Sequence, residues 1–114
     1  VTAGFSDAVP TLRAVGDGSA RRETLPPDAA LVVYAHAGYA HPGDVLTISA
    51  EGPAGTELFR RAITLDSDRA SQMRALGRKA PPTGWPAGEY LGRARLTRDG
   101  TVIAHRFAHV TVTN

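Results

Sequence analysis

The dipeptide Asp99-Gly100 constrains this chain more than any other feature. It stands between two runs rich in strand-favouring residues, an arrangement that is among the strongest short-range signals for a β-hairpin. The single Trp of the chain, Trp85, lies just ahead of the first run, in Gly84-Trp85-Pro86-Ala87-Gly88-Glu89-Tyr90. A long C-terminal hairpin needs other strands to pair with and a face to bury. The rest of the chain is therefore read for strands.

Length and composition allow that. A chain of 114 residues fits one domain with a core of its own. A hydrophobic content of 42% argues against wholesale disorder. With no Cys, thiolate nucleophiles, Cys-bound zinc and disulfides all drop out, although export remains open to a domain of this size. The longest weakly polar stretch, residues 29–40, is interrupted by His36 and falls short of the ~20 residues of a membrane helix. No charged-then-apolar leader opens the sequence, and a start at Val1 rather than Met suggests processing or excision from a longer protein.

Taken in order, residues 1–28 read as an extended segment, punctuated by Gly, Pro and charge, with a possible edge strand over residues 9–15. Residues 29–114 read as the sandwich itself, the whole forming one domain. Residues 30–37 are apolar on both parities, which suits a strand at the centre of a sandwich. His41-Pro42-Gly43-Asp44 makes a turn, and residues 45–51 alternate with Leu46, Ile48 and Ala50 inward. Gly52-Pro53-Ala54-Gly55 is a second tight turn, after which residues 57–65 resume a strand. Beyond Asp66 the pattern weakens. Ser67 suits the cap of a short helix ending at Gly77, residues 73–76 equally suit a returning strand, and an irregular segment is the preferred reading. About seven short strands and no long helix predict an all-β fold, an immunoglobulin-like β-sandwich. Tyr90 then falls where a corner Tyr bonds backbone through its hydroxyl.

The hairpin allows two registers. With a two-residue turn at Asp99-Gly100, Tyr90, Ala94, Leu96, Ile103 and Phe107 share the inner face, Phe107 covers Gly92, and Arg106 lies opposite Arg93. That register requires a bulge near Ala108 and His109 to bring Val110 and Val112 inward. With a three-residue loop, Val102, Ala104, Val110 and Val112 point inward and Arg106 enters the core. The first register is preferred because it buries the larger side chains.

No catalytic constellation emerges. His105 and His109 have a helical metal spacing, but a strand holds them about 13 Å apart, too far for one ion. His36 and His41 flank a turn without carboxylates at ligand spacing, and Asp66 with Asp68 suits capping better than calcium. Ser19 and Ser67 lack the frame of a strained nucleophile elbow, and no phosphate-cradling glycine pattern is present. No metal and no cofactor are expected.

The basic residues are more informative. Up to Glu57 there are three Arg against seven acids, and beyond it ten basic residues against four. Twelve of the thirteen basic residues are Arg, whose planar fork grips carboxylates and phosphates at two points. Arg93 and Arg95 alternate outward on one strand. With Arg106 they form the candidate binding surface, for an anion rather than for nucleic acid, since no aromatics interleave with them. A merely solvated face is the alternative.

Gly77-Arg78-Lys79-Ala80-Pro81-Pro82-Thr83-Gly84-Trp85-Pro86-Ala87-Gly88-Glu89-Tyr90-Leu91-Gly92 and Leu96-Thr97-Arg98-Asp99-Gly100 resemble the C-terminal region of bacterial lysostaphin-type zinc metallopeptidases. Ala3-Gly4-Phe5-Ser6-Asp7-Ala8 and Pro42-Gly43-Asp44-Val45-Leu46 fit the same non-catalytic region, so the resemblance spans most of the chain. The family's zinc-binding His-x-x-x-Asp and His-x-His motifs do not occur here. The resemblance implies an accessory or interaction domain of an exported cell-wall peptidase, itself not an enzyme. Its partners would be the peptidase domain of the same chain or a cell-wall component, and its place periplasmic or extracellular. The alternative is a free-standing binding module for an anionic glycan or peptidoglycan.

Overall fold

The computed structural model describes residues 1–66 and 71–113. The chain folds as an all-β sandwich of two sheets. The strands are β1 (Thr2–Ser6), β2 (Thr24–Leu25), β3 (Leu31–Gly38), β4 (Val45–Glu51), β5 (Glu57–Thr64), β6 (Ser71–Arg78), β7 (Gly88–Arg98) and β8 (Thr101–Val112), with one short helix, α1 (Leu12–Asp17). One sheet runs β1-β3-β6 and the other β2-β8-β7-β4-β5. The chain crosses between sheets after β1, β2, β3, β5 and β6.

The central strands follow the sequence pattern closely. Strand β3 is apolar on both parities because it is covered on both: Leu31, Val33 and Ala35 face the core, while Val32 and Tyr34 are buried on the other side. Strand β4 alternates as expected, with Leu46, Ile48 and Ala50 in the core. Trp85 is buried, donates its indole N–H to the Ala29 carbonyl at 2.9 Å, and meets Tyr90 edge-on at 6.3 Å between ring centroids. The Tyr90 hydroxyl donates to the Pro86 carbonyl at 2.6 Å, closing the corner that the sequence suggested.

Four expectations need correction. First, residues 9–15 form no edge strand. Thr11 accepts a hydrogen bond from the Ala14 N–H at 3.1 Å and Gly18 ends the segment in left-handed geometry, so a capped helical turn wins over the β alternation. The N-terminal strands are β1 and β2, one in each sheet, so residues 1–28 are part of the sandwich. Second, eight strands are described rather than about seven. Third, the irregular segment is in large part β6, paired with β3 from Leu31↔Arg78 to Gly38↔Ser71. The proposed Ser67 cap and Asp68 lie outside the described residues.

The fourth correction concerns the hairpin. The two-residue turn is present, with Arg98 opposite Thr101, but the bulge comes immediately after it. Leu96 pairs with Ala104 and Thr97 with Val102, leaving Ile103 as the extra residue. From there to Phe107 the β8 residues sit on the face opposite to the preferred reading, while Val110 and Val112 are inward as expected but without a bulge at Ala108 and His109. Ala104, Ala108, Val110 and Val112 turn toward the core side, while Ile103 and Phe107 are exposed. The reason lies across the sandwich. The space above Gly92 is already filled by Phe5, whose ring would approach an added Cβ to 3.0 Å, so no room is left there for Phe107. Arg106 consequently faces Ala94, not Arg93. It shares the inner parity without entering the core, because a three-stranded sheet is too narrow to cover β8 fully.

Candidate anion-binding face

Strand alternation and register build one polar surface on the outer side of the five-stranded sheet. Ser49 pairs with Arg60 on β5 and Arg93 on β7, and Arg93 pairs in turn with Phe107 on β8. The adjacent row runs Ala62, Thr47, Arg95, His105. Residues paired across a sheet share a face, so two rows place three guanidiniums, one imidazole and two hydroxyls side by side. Between them lies a small cavity of about 30 Å³ lined by Thr47, Ser49, Arg60, Arg93, Arg95 and His105, room for a water-sized group.

The cations differ in what holds them. Arg60 is paired with Glu57 at 2.6 Å. Arg93 reaches Glu51 at 3.2 Å and lies over the Phe107 ring at 5.7 Å, while its Nε–H is buried with no hydrogen-bond partner among the described residues. Phe107 also stacks on His105, with ring centroids 4.6 Å apart. Arg95 has no ion pair among the described residues and sits between Thr47 and His105. An anion arriving there meets a guanidinium whose fork is unclaimed, with an unpaired N–H of Arg93 in the next row. Such forks bind carboxylate or phosphate oxygens bidentately.

The structure therefore keeps Arg93 and Arg95 together on the outer face and places Arg106 on the other side of the sheet. Arg60, Ser49, Thr47 and His105 join the surface, and the sequence reading did not name them for it. The signal was present in the alternation of β4 and β5, but their register against β7 was not fixed by any local turn.

Two other places hold chemistry. His36 Nε2 and Ser71 Oγ, diagonal neighbours on β3 and β6, are hydrogen-bonded on the outer side of the three-stranded sheet. They open onto a groove of about 740 Å³ beside α1, lined also by Leu12, Val15 and Asp17. A hydroxyl on an imidazole is the beginning of a nucleophilic pair, but the Asp17 carboxylate is turned to the Ser19 N–H at 2.9 Å rather than to His36. The second is an apolar cleft of about 340 Å³ walled by Pro53, Leu58, Pro81, Trp85, Pro86 and Tyr90, with Thr56 at its edge. It offers no charged donor. Among the described residues no three His, Asp or Glu gather to hold an ion, and no helix is long and apolar enough to cross a membrane.

Neither models of known protein families nor curated proteins match this chain. The functional reading rests on the geometry and on the sequence resemblance.

Proposed function

We propose that this is a non-catalytic interaction domain that binds a carboxylate- or phosphate-bearing polymer on the outer face of its five-stranded sheet. The observation that carries the reading is the cluster of Arg60, Arg93, Arg95 and His105 around one water-sized cavity, with the Arg95 fork in no ion pair among the described residues. Like-charged neighbours on adjacent positions of a sheet repel, and an anion bound between them relieves that repulsion. The resemblance to the C-terminal region of lysostaphin-type peptidases supplies the setting: an accessory domain, periplasmic or extracellular, that holds its enzyme on an anionic wall polymer. A free-standing module for an anionic glycan or peptidoglycan would use the same face.

Attraction of this kind acts at long range and weakens with salt, since the screening length falls from about 10 Å at 0.1 M to about 3 Å at 1 M. Cosedimentation of the domain with isolated bacterial cell-wall material at those two salt concentrations tests the proposal. Binding at 0.1 M that is largely lost at 1 M is the expected result. Binding indifferent to salt would move the site to the apolar cleft at Trp85, and no binding at either salt would remove the wall polymer as ligand.

A further inference from the structure

The outer face of the five-stranded sheet has a floor as well as a surface. Ser49 lies on β4, between Arg60 on β5 and Arg93 on β7, and is only 6% exposed. Its hydroxyl lines the cavity of about 30 Å³ and makes no hydrogen bond among the described residues. The Nε–H of Arg93, buried in the wall of the same cavity, has no acceptor among them either. Buried donors without acceptors destabilise a fold, and native chains keep few of them. Two at one cavity, from neighbouring strands, mark a place for an acceptor oxygen.

The adjacent row adds a donor of another kind. Thr47 and Arg95 are paired there, and neither the Thr47 hydroxyl nor the Arg95 guanidinium has a partner among the described residues. A guanidinium presents two parallel N–H groups to two oxygens of one acceptor group. A carboxylate has two oxygens in one plane, so the Arg95 fork takes both and sends neither into the cavity. A phosphate monoester carries three terminal oxygens. Their tetrahedral arrangement turns the third out of the plane of the fork, which suits a fork beside a cavity of one-oxygen size. Glu57 and Glu51 already offset Arg60 and Arg93, so Arg95 supplies the uncompensated charge.

The geometry points to a terminal phosphoryl group as the ligand of this site. Two of its oxygens lie on the Arg95 fork, and the third enters the cavity, where the Ser49 hydroxyl and the Arg93 Nε–H donate to it. The inference rests on the reading of the outer face as the anion-binding surface and names the class of anion. The arginines attract, and Ser49 selects. A planar carboxylate, or a phosphodiester with only two terminal oxygens, leaves the floor donors unmet, and a site built to hydrogen-bond a group discriminates strongly against a ligand that lacks it.

The test is an NMR titration of the isotope-labelled domain at constant ionic strength, following the amides of Thr47, Ser49, Arg93 and Arg95 and the Arg93 Nε–H signal. Glycerol phosphate is compared with malonate, which matches its charge, and with dimethyl phosphate, a tetrahedral anion with two terminal oxygens. Glycerol phosphate should bind about tenfold tighter or more than either. Ser49→Ala should weaken glycerol phosphate about tenfold and leave malonate unchanged, whereas Arg95→Lys, which keeps the charge but loses the fork, should weaken both. Malonate binding as tightly as glycerol phosphate, or unchanged phosphate affinity in a folded Ser49→Ala variant, would overturn the inference. The cavity would then hold only water, and the proposed attraction of an anionic polymer to this face would still stand. Glycerol phosphate bound as expected by a domain that ignores cell-wall polymer would uphold the phosphoryl site and remove the polymer.

Discussion

The guanidinium of Arg98 holds the carboxylate of Asp44 at two points, Nε on Oδ1 at 2.9 Å and Nη2 on Oδ2 at 2.8 Å. Asp44 is only 1% exposed and also accepts the His41 N–H at 2.8 Å, so one carboxylate ties the turn before β4 to the end of β7. The Arg98 hydrogen bonds bring its pKa down to about 2 against the opposing push of burial, with the His41 N–H adding to the lowering. Removing Arg98 leaves the carboxylate buried without its counter-charge. Arg98→Ala should therefore lower stability, leaving the Asp44 carboxylate buried with only the His41 N–H as partner. Chemical denaturation at neutral pH measures it.

The same pair gives a pH signature. A carboxylate with a depressed native pKa adds stability that is complete above its unfolded value and is lost as the pH falls through the native one. Here that window runs from about pH 4 down to about pH 2. The stability gap between wild type and Asp44→Asn should therefore be constant from pH 7 to about pH 5 and shrink below it. A gap that stays constant down to pH 2 would show that the carboxylate is not specially held.

Trp85 and Tyr90 form the corner on which β7 begins. Trp85→Ala should cost about 3–5 kcal/mol, the range for a large aromatic removed from a core. Tyr90→Phe keeps the packing and loses only the bond to Pro86, so about 1 kcal/mol is expected. Urea denaturation midpoints of the two variants should differ accordingly. Equal, small shifts would mean that the corner carries little of the stability.

Gly92 has the Phe5 ring at 3.0 Å and Val33 at 3.2 Å from any added Cβ. Gly92→Val should overpack this contact and destabilise by about 1–3 kcal/mol, read from the thermal midpoint. Phe107→Ala should leave the midpoint nearly unchanged, because that ring is exposed. The reverse order would return Phe107 to the core.

With no three ligating groups gathered among the described residues, thermal melts with and without a strong chelator should superimpose. A midpoint lowered by chelation and restored by zinc would contradict this, and would direct attention to His105 and His109.

Much of the sandwich was legible because β3, β4 and the hairpin turn carry strong local patterns. Their apolar positions alternate or run continuously, and Asp99-Gly100 fixes where the chain reverses. What was not legible depended on distant partners. Nothing local to β8 announces that Ile103 is skipped; the bulge makes sense only once Phe5, more than eighty residues earlier, occupies the space over Gly92. Strand β6 carries Gln72 and Arg74 on the parity facing the other sheet, so its sequence lacked the apolar alternation of a half-buried strand. The candidate site divided in the same way. Arg93 and Arg95 share a face in any register, whereas the place of Arg106 hung on a single inserted residue.

The central claim is that the outer face built on Arg93 and Arg95 binds an anionic polymer, and charge reversal tests it most directly. Arg93→Glu/Arg95→Glu should be compared with Arg13→Glu/Arg78→Glu, two exposed arginines elsewhere whose reversal changes the net charge equally. Affinity for purified anionic cell-wall polymer is measured at 0.1 M salt, after circular dichroism has shown both variants folded. The account predicts a loss of about tenfold or more for the Arg93/Arg95 variant and a much smaller one for the control. Equal losses in the two would show that net charge alone attracts the polymer, and would contradict a site on this face.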